Sequence, residues 1–216
     1  MPPTCIAPHA LIARLGPTTR QAGLGPLLDA AHRAFMVQAG PTPADDPFFQ
    51  LWAACDFGAC PPLGQRLLDR ADLPAAFAAE LRLILPTTAR LFVVDADRTL
   101  CDALTGTPWR SALGRLVSRG GLIYARLAGP PAHPWPIGPI AAFPPESRSA
   151  VWAWLHARAA QTPEAAPEAV YRRVAPSLYR WWRAQRAASA AARGDQRSSS
   201  ASRSDSSSGL VSRGFL

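Results

Sequence analysis

Residues 90–101 read Arg90-Leu-Phe-Val-Val-Asp-Ala-Asp-Arg-Thr-Leu-Cys101. Four apolar residues, Leu91–Val94, are followed at once by an Asp-x-Asp-x-Thr turn. A short apolar run bounded by turn residues is typical of a buried β-strand. The stretch therefore predicts a central strand over Leu91–Val94 that presents Asp95 and Asp97 at its carboxyl end.

The surrounding segments predict several short helices and one further strand. Apolar spacing near 3.6 residues predicts helices after Pro26, after Pro47, over 63–85 with an interruption near Pro74, over about 147–160, from near Pro163, and over 176–193. A strand is predicted over 121–128, and the two strands can pair in one sheet. Residues 130–145 hold seven prolines and predict an irregular crossing in which Trp135 and Phe143 lie against the core. We therefore expect an α+β fold with a small central sheet flanked by helices.

The length of 216 residues suits one domain with extensions. Residues 1–16 contain prolines and show no clear period, which predicts a loosely ordered N-terminal lead. Residues 17–193 are expected to form a single α+β domain. Residues 194–216 are rich in serine and arginine and have little apolar surface to bury, which predicts a disordered tail.

Arginine supplies all of the lysine-or-arginine positive charge of the chain. The chain has 23 basic residues, none of them lysine, and a net charge of +8 that favours acidic partners. The absence of lysine, with abundant alanine and proline, indicates GC-rich coding, as in some bacteria and DNA viruses. The N-terminus lacks a secretory signal and no apolar window is long enough to span a membrane, so we expect an intracellular protein.

Cysteine and histidine do not predict a metal site. The cysteines form no Cys-x-x-Cys pair and the histidines are scattered, so neither zinc nor a disulfide framework is indicated. We expect reduced thiols, and structural or surface roles for His133 and His156. No phosphate-binding glycine loop or Ser-His-Asp arrangement is evident in the sequence, and we expect no cofactor and no small-molecule substrate. The four cysteines are Cys5, Cys55, Cys60 and Cys101.

The turn after the first strand also resembles the first motif of haloacid-dehalogenase-type phosphohydrolases. That resemblance implies a nucleophilic Asp95 and an acid/base role for Asp97. Such chemistry also needs Mg²⁺ held by further carboxylates and a cation for the phosphate oxygens. No acidic pair follows Asp102, and the motif lies mid-chain. We therefore expect these aspartates to cap a turn between two strands, and a degenerate phosphohydrolase is an alternative.

A second candidate site interleaves arginines with aromatic residues near the C-terminus. Guanidinium groups hold phosphates and aromatic rings stack on bases, so the pattern suits nucleic acid or another acidic partner. A peripheral membrane face or a protein-docking face is equally compatible. The alternative is a terminal helix that packs Leu178, Trp181 and Trp182 on the domain and leaves its arginines solvated. The candidate partner-binding residues are Arg172, Arg173, Arg180, Trp181, Arg183 and Arg186.

A collinear series of short segments carries a family resemblance. The segments are Leu51-Trp52, Pro62-Leu-Gly64, Glu80-Leu-Arg-Leu-Ile84, Arg90-Leu-Phe-Val-Val94 with Leu100-Cys101, Pro134-Trp135, Phe143-Pro-Pro-Glu146 and Val151-Trp152. Over about residues 50–185 they resemble landmarks of the alphaherpesvirus tegument-associated proteins encoded in the unique short region. The first fifty residues depart from that pattern, because Met1-Pro2 stands where the family has a glycine-initiated apolar strand. The resemblance implies a non-catalytic, cytoplasmic or membrane-associated virion component that binds host factors.

Taken together, these features predict a non-enzymatic, virion or tegument-type interaction protein. We expect it in the host cytoplasm or the virion tegument, where it binds host or viral proteins through an Arg/Trp-bearing surface. Nucleic-acid binding through the C-terminal arginines is an alternative, as is phosphohydrolase activity at Asp95 and Asp97. An acidic membrane surface is a further candidate contact of the arginines.

Overall fold

The structure, a computed structural model, describes the backbone of residues 8–58, 61–70, 72–163 and 165–205. Within these ranges it describes the side chains except those of 8–9 and 192–205. The helices are α1 (Pro8–Gln21), α2 (Gly25–Ala39), α3 (Pro47–Cys55), α4 (Leu63–Leu68), α5 (Ala75–Ile84), α6 (Arg148–Ala160) and α7 (Pro167–Asp205). The strands are β1 (Ala89–Val94), β2 (Leu100–Asp102), β3 (Pro108–Trp109), β4 (Leu122–Ala128) and β5 (Trp135–Phe143).

The five strands form one antiparallel sheet in the order β3-β2-β1-β4-β5. β1 is therefore the central strand, and it pairs with β4 as well as with β2. The register places Phe92 opposite Ile123 and Val94 opposite Leu100. The predicted central strand, its pairing with the strand near 121–128 and the α+β fold are confirmed.

Residues Trp135–Phe143 of the proline-rich segment form β5, so the prediction of an irregular crossing is wrong there, whereas residues 130–134 are irregular as predicted. β5 lies at the edge of the sheet, where only one side of the strand needs backbone donors, and an edge strand therefore tolerates Pro136 and Pro139. Gly138 has a φ of 73° and no side chain, which lets this strand approach Leu51 closely. Phe143 is buried, as expected.

One face of the sheet carries a compact apolar cluster. Leu113 belongs to a 3₁₀ turn, Ala112–Arg115, so the connection between β3 and β4 contributes to the cover of this face. On the opposite face, the ring of Tyr124 stacks on Phe48 of α3 with 6.4 Å between the ring centres. The cluster consists of Phe92, Val94, Leu100, Leu113, Ile123, Ala125 and Leu127.

A buried carboxylate joins α7 to the sheet. Asp102 accepts hydrogen bonds from Arg90 Nη1 at 2.8 Å, from the Tyr171 hydroxyl at 2.9 Å and from the amide of Leu104 at 2.9 Å. Arg90 also pairs with Glu168 in the first turn of α7. Because Asp102 has several charged or polar donors, its burial requires no further partner.

Helix α1 differs from the predicted loosely ordered lead, and the cap of α3 agrees with its prediction. Residues 8–16 form most of α1, with Leu11, Ile12 and Leu15 buried, and not the loosely ordered lead that their prolines suggest. Residues 1–7 lie outside the described residues. The carboxylate of Asp46 caps α3 by accepting from the amides of Phe48 and Phe49, as the acidic residues before Pro47 predict.

Helix α7 continues through Pro176, where the sequence predicts the start of a separate helix. A proline inside a helix leaves the carbonyl four residues earlier without its amide donor. Here that carbonyl belongs to Arg172, and the indole Nε1–H of Trp52 donates to it at 3.1 Å. A tertiary hydrogen bond therefore replaces the missing helical one.

The chain divides into two compact units between Arg180 and Trp181, and α7 contributes residues to both. The first unit contains the sheet and α1–α6. The second contains the remainder of α7, which extends to Asp205 and so enters the segment predicted to be disordered. The rest of that segment, 206–216, lies outside the described residues.

Candidate functional site

The β1–β2 turn uses both of its aspartates to bind backbone amides. Asp95 Oδ1 accepts from the amide of Ala96 at 2.7 Å, and Asp97 Oδ1 accepts from that of Thr99 at 2.8 Å. The amide of Asp95 donates to the carbonyl of Thr99, which closes the hairpin. Arg98 adopts a φ of 71°, and its guanidinium donates to the carbonyl of Val117 at 2.6 Å.

These contacts give the Asp95 and Asp97 carboxylates a structural role in the turn. The hydrogen bond from the Thr99 amide holds the pKa of Asp97 below its usual value. Both residues are exposed. Among the residues that the structure describes, no group of three or more His, Cys, Asp or Glu side chains is placed to hold a metal ion.

The arginines of α7 in the first unit differ in their contacts. Arg172 is partly exposed, and its Nε lies 3.6 Å from Asp56 Oδ1. Arg173 donates to the hydroxyl of Thr162 at 2.6 Å. Arg180 is exposed. Arg172 and Arg173 therefore have contacts within the domain, although Arg172, Arg173 and Arg180 are all accessible at the surface.

The second unit holds the other three candidate residues. Arg183 and Arg186 are exposed, and Trp181 is half-buried. The guanidinium carbon of Arg186 lies 5.0 Å from the ring centre of Trp182, within cation–π range. This contact is the i, i+4 arrangement that one helix face allows.

A buried ion pair between α3 and β4 was not predicted from the sequence. Arg126 lies in the wholly buried strand β4, and its guanidinium donates to the carboxylate of Asp56, just beyond α3, and to the carbonyl of Thr87. The two side chains are only 3% and 2% exposed. The available signal was a lone arginine in an apolar strand, because such a residue needs a buried partner.

A small pocket adjoins this ion pair. Its volume is about 20 Å³. Apart from Asp56 and Arg126, its walls are mainly apolar and aromatic. The lining residues are Phe48, Leu51, Trp52, Asp56, Ala89, Tyr124, Ala125, Arg126, Ile137 and Pro139.

Burial and the ion pair have opposing effects on the groups around the pocket. Burial raises the pKa of the Asp56 carboxyl, and the guanidinium groups of Arg126 and Arg172 oppose that shift. Burial, the largest single influence, would by itself lower the pKa of Arg126, but the charge of Asp56 and its hydrogen bond, together with the charges of Cys55 and Tyr124, outweigh burial and the net shift is upward. Burial also raises the pKa of the Tyr124 phenol.

No histidine is among the residues that line this pocket. The imidazole of His156 is 3.1 Å from the carbonyl of Ala103 and stacks near Trp152, with 4.6 Å between ring centres. His133 is exposed. Cys101 is half-buried, whereas Cys55 is fully buried with a free thiol; Cys5 and Cys60 lie outside the described residues.

We expect the Cys55 thiol to make the protein less stable as the pH rises above 9. Burial raises the pKa of this thiol from 9.0 to about 11. Between these values the unfolded chain loses the proton while the folded chain keeps it, so this group lowers the unfolding free energy by roughly 1.4 kcal/mol per pH unit. Urea unfolding from pH 8 to 11, compared with Cys55→Ala, measures the effect. Equal pH slopes in the two proteins would contradict it.

No protein-family model, no curated protein sequence and no solved structure matches this chain. Within the described part of the chain, no helix combines the length and the apolar character needed to cross a lipid bilayer.

Proposed function

We propose that this protein is a non-enzymatic interaction protein that binds a protein partner through the arginines of α7. The observation that carries the proposal is the division of this helix, in the first unit, into a buried face and an exposed basic face. Tyr171, Val174 and Leu178 are buried, whereas Arg172, Arg173 and Arg180 are exposed. The helix therefore keeps its packing contacts, while all three arginines stay accessible at the surface, even though Arg172 and Arg173 also contact Asp56 and Thr162.

The second unit adds basic charge of the same kind. Residues 181–216 contain six arginines and two aspartates. The guanidinium group is planar, weakly hydrated and able to bind carboxylates with two parallel hydrogen bonds. These properties favour an acidic protein surface as the partner, and aromatic residues together with arginine are the types enriched at protein interfaces.

The turn at Asp95 and Asp97 supports a non-enzymatic role. A nucleophilic carboxylate must have a free oxygen directed at the substrate and a cation close to the developing charge. In this turn one oxygen of each carboxylate is already bonded to a backbone amide. Both side chains stabilise the hairpin through these hydrogen bonds. Their place in the sequence therefore has a structural explanation that does not require catalysis.

The proposal includes a role in a viral particle or an infected cell, with a host or viral protein as the partner. The collinear resemblance to alphaherpesvirus tegument-associated proteins supports this part. The all-arginine basic composition agrees with a GC-rich viral genome.

We expect neutralisation of α7 to weaken partner binding about tenfold. The test variant is Arg180→Gln/Arg183→Gln/Arg186→Gln, and three contacts of about 0.5 kcal/mol each give this factor. The full chain is used to capture partners from host-cell lysate with and without nuclease, and the captured protein is then purified and its Kd measured. Arg33→Gln/Arg82→Gln/Arg115→Gln removes the same charge from exposed positions elsewhere and is the matched control.

Three outcomes would overturn the proposal. Equal weakening by both triple variants would indicate a general effect of net charge. Capture that disappears with nuclease or at modest salt would indicate nucleic-acid binding. Mg²⁺-dependent phosphate release that is abolished by Asp95→Asn would indicate the phosphohydrolase.

A further inference from the structure

A seven-residue sequence occurs twice in this chain. Residues 116–122 read Leu-Val-Ser-Arg-Gly-Gly-Leu, and residues 210–216 read Leu-Val-Ser-Arg-Gly-Phe-Leu, so the two copies differ only at the sixth position. We call 116–122 the loop copy and 210–216 the tail copy. The loop copy occupies the end of the connection between β3 and β4 and the first residue of β4.

The sheet holds the loop copy in one conformation. The amide of Gly120 donates to the carbonyl of Val94 at 2.8 Å, and the Arg98 guanidinium donates to the carbonyl of Val117 at 2.6 Å. The side chain of Val117 packs against the apolar cluster of the sheet, and Gly120 adopts a φ of 79°, which favours glycine. The exposed side chains of this loop are therefore presented from a rigid support, as in many recognition loops.

Packing in the domain accounts for only some of the shared residues. Val117 and Leu122 contact the core. Leu116, Ser118 and Arg119 are exposed, with 63% of Leu116 accessible to solvent. A single exposed leucine needs no explanation, but here all three exposed residues recur in the tail copy, although the domain does not need them for packing. Their recurrence points to a ligand outside the domain.

The one difference between the copies has a cause in the domain. A Cβ on Gly121 would lie 2.7 Å from the side chain of Val117 and 3.1 Å from the carbonyl oxygen of Ser118. The domain therefore requires glycine at this position, and Phe215 of the tail copy does not fit there. The tail copy is thus no substitute for the loop copy in another molecule of this chain, and a ligand common to both copies is a separate partner.

The charge of the copies indicates an acidic partner. In each copy an arginine follows the first leucine after three residues, Arg119 in the loop copy and Arg213 in the tail copy. Residues 103–145 contain no Asp or Glu, so the connection around the loop copy carries only positive charge of its own. Arginine binds carboxylates with two parallel hydrogen bonds, and a leucine side chain fits an apolar pocket. The complementary surface is an apolar pocket with a carboxylate beside it.

We propose that Leu-Val-Ser-Arg-Gly-x-Leu is a recognition segment that the chain carries twice, and that both copies bind the same kind of site on an acidic partner protein. The first leucine enters an apolar pocket, and the arginine pairs with a carboxylate at its edge. The shared glycine permits both copies to adopt the same turn when bound. These residues are distinct from the α7 arginines, so the proposal stands independently of the proposed function.

The octapeptide Gly209–Leu216 is the probe, and a scrambled peptide of the same composition is its control. The immobilised full chain captures proteins from host-cell lysate, and the bound proteins are then treated with either peptide. We expect the octapeptide to release a protein that the scrambled peptide leaves bound. That protein is purified, and its Kd for the full chain is measured.

Variants of the full chain test the two copies separately. With both copies altered, we expect the Kd to rise about tenfold or more, because the leucine anchor and the arginine contact are lost. With only the tail copy altered, binding remains, and the octapeptide competes with it because the loop copy binds the same kind of site. The control removes an exposed arginine and an apolar residue that is 83% exposed on α2, and should leave the Kd unchanged. The variants are Leu116→Ser/Arg119→Gln, Leu210→Ser/Arg213→Gln, their combination, and the control Arg33→Gln/Val37→Ser.

Three results would overturn the proposal: no captured protein is released by the octapeptide in preference to the scrambled peptide, the combined variant binds as tightly as the wild type, or the octapeptide fails to compete with the tail variant. The release experiment uses the wild-type chain, so a poorly folded variant leaves its outcome intact. Binding that depends on Arg180, Arg183 and Arg186 but on neither copy would support the proposed function and overturn this proposal, so the two fail independently.

Discussion

Replacing Arg126 by methionine is expected to lower the free energy of unfolding by about 3–5 kcal/mol, because it leaves the buried Asp56 carboxylate without its closest cation. Arg172 does not substitute for it, since its Nε is 3.6 Å from the other carboxylate oxygen and its side chain is partly exposed. Urea unfolding followed by tryptophan fluorescence at neutral pH measures the loss.

The double variant Asp56→Leu/Arg126→Met separates charge from packing. Removing both partners leaves no unpaired buried charge, so we expect it to recover much of the stability lost in the single variant. Arg20→Gln is the control, because the Arg20–Asp29 pair is about half-exposed and should cost at most about 1 kcal/mol. A cost for Arg126→Met no larger than for this control would contradict the expectation.

Replacing Gly114 by alanine is expected to lower the free energy of unfolding by about 3 kcal/mol. A Cβ on this residue would overlap the carbonyl oxygen of Arg98 and lie 2.9 Å from its carbonyl carbon. These are backbone atoms of the β1–β2 turn, held there by the Asp95 and Asp97 hydrogen bonds, so the clash has no side-chain rotation to relieve it. Thermal and urea unfolding provide the measurement.

Gly25→Ala is the matched control for this substitution. Gly25 begins α2, and the atoms closest to its Cβ would be 3.7 Å away on a flexible arginine side chain. Alanine reduces the freedom of the unfolded chain, but a Cβ before Pro26 is disfavoured in the helical conformation, so these opposing effects should leave the free energy of unfolding within about 1 kcal/mol of the wild-type value. If Gly114→Ala unfolds with the same midpoint as Gly25→Ala, the Arg98 turn is not packed against the 3₁₀ segment in solution.

Short sequence patterns were sufficient to predict the elements whose sequence signals lie within or next to the element itself. Leu91–Val94 is a continuous apolar run, and Asp46-Pro47 combines a capping residue with a proline at the first helical position. Both signals act within a few residues of chain. The strand and the helix therefore follow from sequence, and so does the use of Asp95 and Asp97 as turn-capping residues.

Proline was the main source of error. The sequence predicts that prolines interrupt the chain at 130–145 and at Pro176, yet Trp135–Phe143 form β5 and Pro176 lies inside α7. In each case the backbone consequence of proline depends on a neighbour that is distant in sequence. In β5, the edge position removes the need for a backbone N–H donor on one side of the strand. In α7, the indole N–H of Trp52 donates to the carbonyl of Arg172 in place of the missing backbone donor.

Sequence patterns were sufficient to predict the α+β class, the central strand, the turn after it and the basic character of the C-terminal helix. These properties depend on periodicity, capping and composition, which operate over short distances along the chain. The pairing of Asp56 with Arg126 beside a pocket, and the position of Arg172 3.6 Å from the other Asp56 oxygen, depend on the three-dimensional packing. The paired residues are far apart in sequence. Because a charge buried between β4 and α3 needs an opposite charge beside it, the packing of these elements selects the partner, and no local pattern specifies which residue it is.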